Sequence, residues 1–184
     1  LFVEQFPNSL SITLLGSAGG AAKAVLAILN QAIANEKDPI YEVLKNAKFH
    51  LVDIKQKDRT YYDELFPNLK DQLFLSEIDL QDVVTFKKHL KESSTSVVID
   101  VSGADTIRVL SCCNELGICY INSALENEAV DQDDSLIGFQ LTERYTRFEK
   151  EKDKFTNTKA IIGISGGVGF TAPLVNPLQN LAVF

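Results

Sequence analysis

The sequence predicts an α/β domain built on a doubly wound parallel sheet with helices on both faces. Three observations predict it. Short apolar runs alternate with segments of helical period for five cycles along the chain. One of these runs, "SVVIDV", is nearly all apolar, as a strand covered from above and below should be. The first run, "SLSITLL", breaks into a glycine-rich turn and passes directly into an alanine-rich helix. Strands that alternate with helices at this spacing are joined by crossovers, and crossovers make neighbouring strands parallel.

Taken in order, residues 9–15 form the first strand and 18–34 the first helix, which carries hardly a charge beyond Lys23 and so is expected to be covered over most of its surface. "KFHLVDI" is the second strand, residues 60–69 a helix stopped at Pro67, and "QLFLSEI" the third strand. Asp79 is the expected N-cap of the helix in "LQDVVTFKKHLKE". "SVVIDV" is the fourth strand, and residues 104–116 form a helix closed by Gly117. "ICYINSA" holds the fifth strand. An acidic stretch, "ENEAVDQDD", leads to a polar helix over 136–155 whose charges are expected mostly in solvent, and "KAIIGI" is the sixth strand. A second glycine cluster, "GISGGVGF", reads as a turn at the sheet's edge, beside any ligand bound there.

Composition narrows the function. The chain has 184 residues, 45% hydrophobic and 23% charged, enough to bury a full core. A formal charge of −7 lacks the basic stripe that a nucleic-acid surface needs. No apolar run approaches the roughly 18 residues of a membrane helix, and no basic-then-apolar start marks a signal peptide, so neither nucleic acid nor membrane is expected as a partner and the cytoplasm is the expected compartment. Cys112, Cys113 and Cys119 have neither C-x-x-C spacing nor a nearby histidine, which predicts reduced, mostly buried thiols and no metal site. His50, inside a strand, and His89, on a charged helix, read as structural or solvated rather than catalytic.

Ligands of doubly wound sheets bind beyond the carboxyl ends of the strands, where strand order reverses. That places function in "GSAGGAA", "DIKQKDR", "DVSGAD" and "NSALENE", each of which follows a strand. Gly16, Ser17, Ala18, Gly19, Gly20 and Ala21 form a turn whose glycines let the backbone approach a ligand, and the helix after it offers free N–H groups to a phosphate. Two registers fit a dinucleotide fingerprint: Gly16, Ala18 and Ala21 as G-x-G-x-x-G with two alanines, or Gly16, Gly19 and Ala22 as G-x-x-G-x-x-A. Asp53, at the end of the second strand, occupies the place of a ribose-binding carboxylate, although it follows the turn by more than the usual interval of about 20 residues. Its charge favours NAD by repelling a 2′-phosphate, while Lys55, Lys57 and Arg59 leave NADP open. Ser102, Gly103, Asn122 and Ser123 lie on the same rim after the fourth and fifth strands, and Asp100 needs a partner if it is buried.

Rival classes meet the same residues. A phosphate loop of the G-x-x-x-x-G-K-[ST] type fails, because Lys23 is followed by Ala24 and no hydroxyl is offered to magnesium. A doubly wound S-adenosylmethionine methyltransferase competes more closely, but the residues before the glycine turn, Thr13, Leu14 and Leu15, include no acid. The third class is a non-catalytic module that senses a dinucleotide or holds subunits together.

The order "ITLLGSAGGAAKAVLAIL", "FHLVDI", "SVVIDVSGADTIRVLSCCNELGICYINSALE" and "KAIIGISGG" resembles the amino-terminal, Rossmann-type NAD(P)-binding domain of the saccharopine dehydrogenase and homospermidine synthase family. "CYINSALE" is similar to that family's fifth strand and "AIIGISGGVG" to its next strand and turn, while the Asn-Pro-Gly usual in homospermidine synthases does not occur in this turn. The resemblance implies an oxidoreductase acting on C–N bonds, with a small amine or amino-acid substrate, compatible with a homo-oligomer. By position it carries cofactor roles to Gly16, Ala18, Gly19, Ala21, Asp53, Ser102, Gly103, Asn122 and Ser123. Residues 1–165 are then the dinucleotide-binding domain, and 166–184 an edge segment or the start of a substrate domain that holds the catalytic groups.

Overall fold

The computed structural model describes residues 10–163 and the backbone of 182–183. Its contacts divide the chain into two compact units, Leu1–Ser102 and Gly103–Phe184. The expected boundary at 165, the second glycine cluster beyond Gly163, and the side chains of 166–184 lie outside the described residues.

The first unit holds four parallel strands, β1 (Ser11–Leu15), β2 (Lys48–Asp53), β3 (Leu73–Glu77) and β4 (Val97–Asp100), in the order β3-β2-β1-β4. The chain steps outward from β1 to β2 and β3, then returns past β1 to β4, so the order reverses at β1 as expected of a doubly wound α/β sheet. Register levels the strand ends at that point, since Leu15 pairs with both Val52 and Asp100. Every residue of β1 is buried, which strands its two polar side chains unless they find partners. They do: the Ser11 hydroxyl donates to the Ser93 carbonyl at 2.8 Å, and Thr13 and Thr95 share a 2.6 Å hydroxyl contact.

Four helices connect these strands: α1 (Gly20–Ile33), α2 (Tyr41–Leu44), α3 (Arg59–Leu65) and α4 (Val83–Glu92). α1 buries Ala22, Leu26 and Ala32 against a core of Leu14, Phe49, Leu51, Tyr62, Leu69 and Leu73. It is covered on one stripe only, with Ile28 64% exposed, because its alanines present too little apolar surface to demand cover all round. α2 carries no signal in the sequence strong enough to separate it from its loop. α4 is capped by Asp82, whose side chain accepts from the Thr85 amide at 3.1 Å; Asp79 instead accepts from the Gln81 amide in the preceding turn. Two aspartates three residues apart look alike in sequence, and the turn between them decides which one meets the helix.

His50 of β2 stacks on Phe74 of β3 at 5.1 Å and meets His89 of α4 edge-on at 5.7 Å. Both Nε2 atoms are buried without a hydrogen-bond partner. Burial, the neighbouring His89 and Lys48 push His50 down to about 4, and burial also lowers His89 against the opposing pull of Glu92. The folded state therefore prefers neutral rings. The unfolded chain takes up protons first as pH falls below about 6.5, so stability present above that pH is lost between about 6.5 and 4. Solvent at the half-buried rings screens the effect to the order of 1–2 kcal/mol. Urea midpoints at pH 7.5 and 5 should show this loss, and His50→Phe should reduce it.

The second unit contains α5 (Thr106–Leu116), β5 (Cys119–Asn122), α6 (Glu128–Asp131), α7 (Gln140–Glu151), β6 (Ala160–Ile162) and β7 (Ala182–Val183). β6 runs parallel to β5 and antiparallel to β7. Asp105 caps α5 and Gly117, at φ +68°, ends it in the left-handed conformation. No disulfide joins the three cysteines, and Cys112 and Cys113 are buried on α5. The expected helix over 136–155 is shorter: a 3-10 turn at Asp134–Leu136 precedes it, and another at Lys152–Lys154 ends it. Its arginines are also less solvated than the charge pattern suggests. Arg144 pairs with Glu126 at 2.8 Å and with Asp131, so the acidic stretch supplies its counter-ions, while Arg147 pairs with Glu143 of the same helix at 3.0 Å.

Among the described residues no helix is long and apolar enough to cross a membrane, and no group of three or more His, Cys, Asp or Glu side chains is placed to hold a metal ion.

Candidate functional site

The turn after β1 is held by its own backbone before any ligand arrives. Gly16 takes φ +75°, and its amide and that of Ser17 both donate to the Val52 carbonyl, at 3.0 and 3.3 Å. A Cβ on Gly16 would lie 2.8 Å from the Ser102 Cα and 3.0 Å from the Val101 carbonyl, so the end of β4 seats directly on this glycine. The Ala18 amide donates to Asp53 Oδ2 at 3.0 Å and the Gly19 amide to the Gly16 carbonyl at 3.0 Å. Gly19 is the N-cap of α1, in extended conformation and with no side chain capping the helix. The amides of Gly16 to Gly19 are thus spent inside the protein. Those of Gly20, Ala21 and Ala22 belong to the first helical turn, where α-helical geometry leaves N–H groups unsatisfied and the dipole is positive.

This geometry selects between the two registers. Gly16 is the close-approach position, Gly19 begins the helix, and Ala22, fully buried, packs the helix on the sheet, whereas Ala21 is exposed. The pattern in space is therefore G-x-x-G-x-x-A. Around Gly20 an added Cβ would meet nothing within 4 Å.

Asp53 ends β2 half-buried, its Oδ1 accepting from the Lys55 amide at 3.3 Å. Glu77, its register partner on β3, sets a second carboxylate beside it and accepts from the Gln56 amide at 3.1 Å. Arg59 is engaged elsewhere, donating to Asp63 at 2.8 Å and to the carbonyls of Leu73 and Lys70. Asp100 is buried and finds the partner it needs in Ser102, whose amide and hydroxyl donate to it at 2.9 and 2.7 Å.

Ser17 turns inward. It is 2% exposed, and its hydroxyl meets Gln56, a residue the sequence does not mark. Gln56 and the fully buried Tyr62 extend this contact into a polar network beneath the turn. Burial raises the Tyr62 phenol above its usual value, which keeps it a donor.

In the second unit, Asn122 is buried and spends its side chain on the fold: its Nδ2 donates to Thr106 Oγ1 at 3.1 Å and to the Ala124 carbonyl, and its Oδ1 accepts from the Gly163 amide at 2.9 Å. It ties the ends of β5 and β6 to the start of α5. Ser123 is half-buried beside it, and a Cβ on Gly103 would meet nothing within 4 Å.

The reversing parallel sheet, the glycine turn and the acid at the end of β2 together define an α/β fold of the Rossmann type. Among solved structures the chain is similar to a UDP-glucose-4-epimerase from Stenotrophomonas maltophila with bound NAD and formylated UDP-arabinopyranose (10% identity, TM-score 0.54, 82% of this chain and 51% of that one). It is similar also to a leucoanthocyanidin reductase from Vitis vinifera in binary complex with NADPH (12%, 0.52, 83% and 48%) and to the Cj0485 dehydrogenase (9%, 0.51, 84% and 68%). The chain spans about half the length of the epimerase and the reductase. No protein-family model matches it, and no curated protein does.

Proposed function

We propose that this chain is the dinucleotide-binding part of an NAD(P)-dependent oxidoreductase, with NAD preferred. The observation that carries the reading is the Gly16–Gly20 turn, closed on the end of β4 at the strand-order reversal, with the first amides of α1 open above it. An anionic pyrophosphate suits those amides and the helix dipole, and Asp53 suits the adenosine ribose hydroxyls. The fold shared with structures that hold NAD or NADPH supports the same ligand. Asp53 and Glu77 place two carboxylates where a 2′-phosphate would come, and Arg59 is already committed, which supports NAD over NADP.

The cofactor supplies hydride chemistry at C4 of its nicotinamide; the residues of this chain bind and orient it. On the substrate side, the resemblance of "CYINSALE" and "AIIGISGGVG" to the saccharopine dehydrogenase and homospermidine synthase family supports an imine or amine of amino-acid or polyamine type. Calorimetric titration with NADH, NADPH and S-adenosylmethionine in parallel tests the reading. NADH binding tightest supports it, and S-adenosylmethionine alone, or no ligand, overturns it.

A further inference from the structure

We propose that Gln56 is a positioning residue that presets the Gly16–Gly20 turn for the pyrophosphate, an inference that rests on the dinucleotide reading above. Gln56 follows β2, and its side chain runs beneath the turn. Its Nε2 lies 2.9 Å from Ser17 Oγ, 2.8 Å from the Leu51 carbonyl and 3.1 Å from the Ser76 carbonyl. Its Oε1 accepts from the Tyr62 hydroxyl at 2.8 Å and faces Ser17 Oγ at 3.3 Å. The Tyr62 hydroxyl also reaches the Ser17 carbonyl at 3.3 Å.

The chemistry of this cluster selects the residue. Two of the groups facing Gln56 are carbonyls, which need a donor, and one is a phenol, which needs an acceptor. A primary amide supplies both from one side chain. Glutamate lacks the donor, leucine lacks both, and asparagine has the groups but ends one carbon short.

The consequence falls on Ser17. Its amide, carbonyl and hydroxyl are all held inside the protein, by Val52, Tyr62 and Gln56. With its middle pinned from below, the turn keeps the shape in which the α1 amides face outward, so a ligand need not pay to order it. Losing the clamp leaves the recognition groups present but unordered.

The test compares wild type with Gln56→Ala and Tyr62→Phe, reading affinity for NADH and for adenosine, which lacks the pyrophosphate, together with amide exchange at Ser17, Ala18 and, as a control, Leu26. The expected result for Gln56→Ala is NADH binding about 10-fold weaker with adenosine binding unchanged, and faster exchange at Ser17 and Ala18 only. Tyr62→Phe should move in the same direction by less. If Gln56→Ala does not fold, Gln56→Asn carries the comparison. Unchanged NADH affinity in the folded variant, or an equal loss for adenosine, overturns the proposal. If wild type binds no NADH, it is the dinucleotide reading that fails; the clamp then stands or falls on whether exchange at Ser17 and Ala18 quickens.

Discussion

Gly16→Ala should destabilise the first unit by about 2–4 kcal/mol and abolish measurable NADH binding. Two costs combine. An alanine at φ +75° sits in the left-handed region, which disfavours a Cβ by about 1–2 kcal/mol. That Cβ would also stand 2.8 to 3.0 Å from three backbone atoms of Val101 and Ser102, and backbone at the end of a paired strand cannot swing aside as a side chain can. Relief must come from parting β1 and β4 where strand order reverses, which moves the first turn of α1 away from its place. Gly20→Ala is the control, since nothing lies within 4 Å of its Cβ and it begins a helix. It should leave stability unchanged or raise it by up to about 1 kcal/mol. If NADH weakens in Gly20→Ala without loss of stability, the open space at Gly20 is where the ligand comes close. Urea denaturation and calorimetry read both variants, and a Gly16→Ala protein as stable as wild type would contradict the close approach to β4.

Asp53→Ala should weaken NADH binding by about 10- to 100-fold at a stability cost on the order of 1–2 kcal/mol. The carboxylate holds the turn through the Ala18 amide and its own loop through the Lys55 amide, and it is the group suited to the ribose hydroxyls. Removing it frees the Ala18 amide and, on the proposed dinucleotide reading, takes away the ribose acceptor at the same time. Asp53→Asn separates the two contributions, because it keeps an acceptor oxygen for Ala18 and removes the charge. Asp53→Asn should bind NADH more tightly than the alanine variant does, and its preference for NADH over NADPH should narrow. A preference that survives loss of the charge would show that Asp53 does not set it.

The alternation of strand and helix was legible because buried parallel strands read as short apolar runs, and "SVVIDV" and "KFHLVDI" stand out against the amphipathic segments between them. The turn was legible as a turn because glycines can take positive φ. Its register was not, since choosing Ala22 over Ala21 needs to know which methyl meets the sheet. Asp82 took the cap expected of Asp79 for a related reason: capping depends on where the backbone leaves its turn. Arg144 of α7 reads as solvated because its partners, Glu126 and Asp131, lie before the helix in the chain and come beside it only on folding.

Local pattern alone thus specifies the α/β class, the turn and the acid at the end of β2, because periodicity, glycine conformation and strand-end chemistry are properties of neighbouring residues. The Gln56 cluster, the Asp100–Ser102 lock and the His50–His89 contact belong to packing. Ser17, Leu51, Tyr62 and Ser76 are scattered along the sequence, and it is the sheet that levels their strands and turns them toward one amide. A contact between distant residues leaves no period to read, so it becomes visible when the strands are paired.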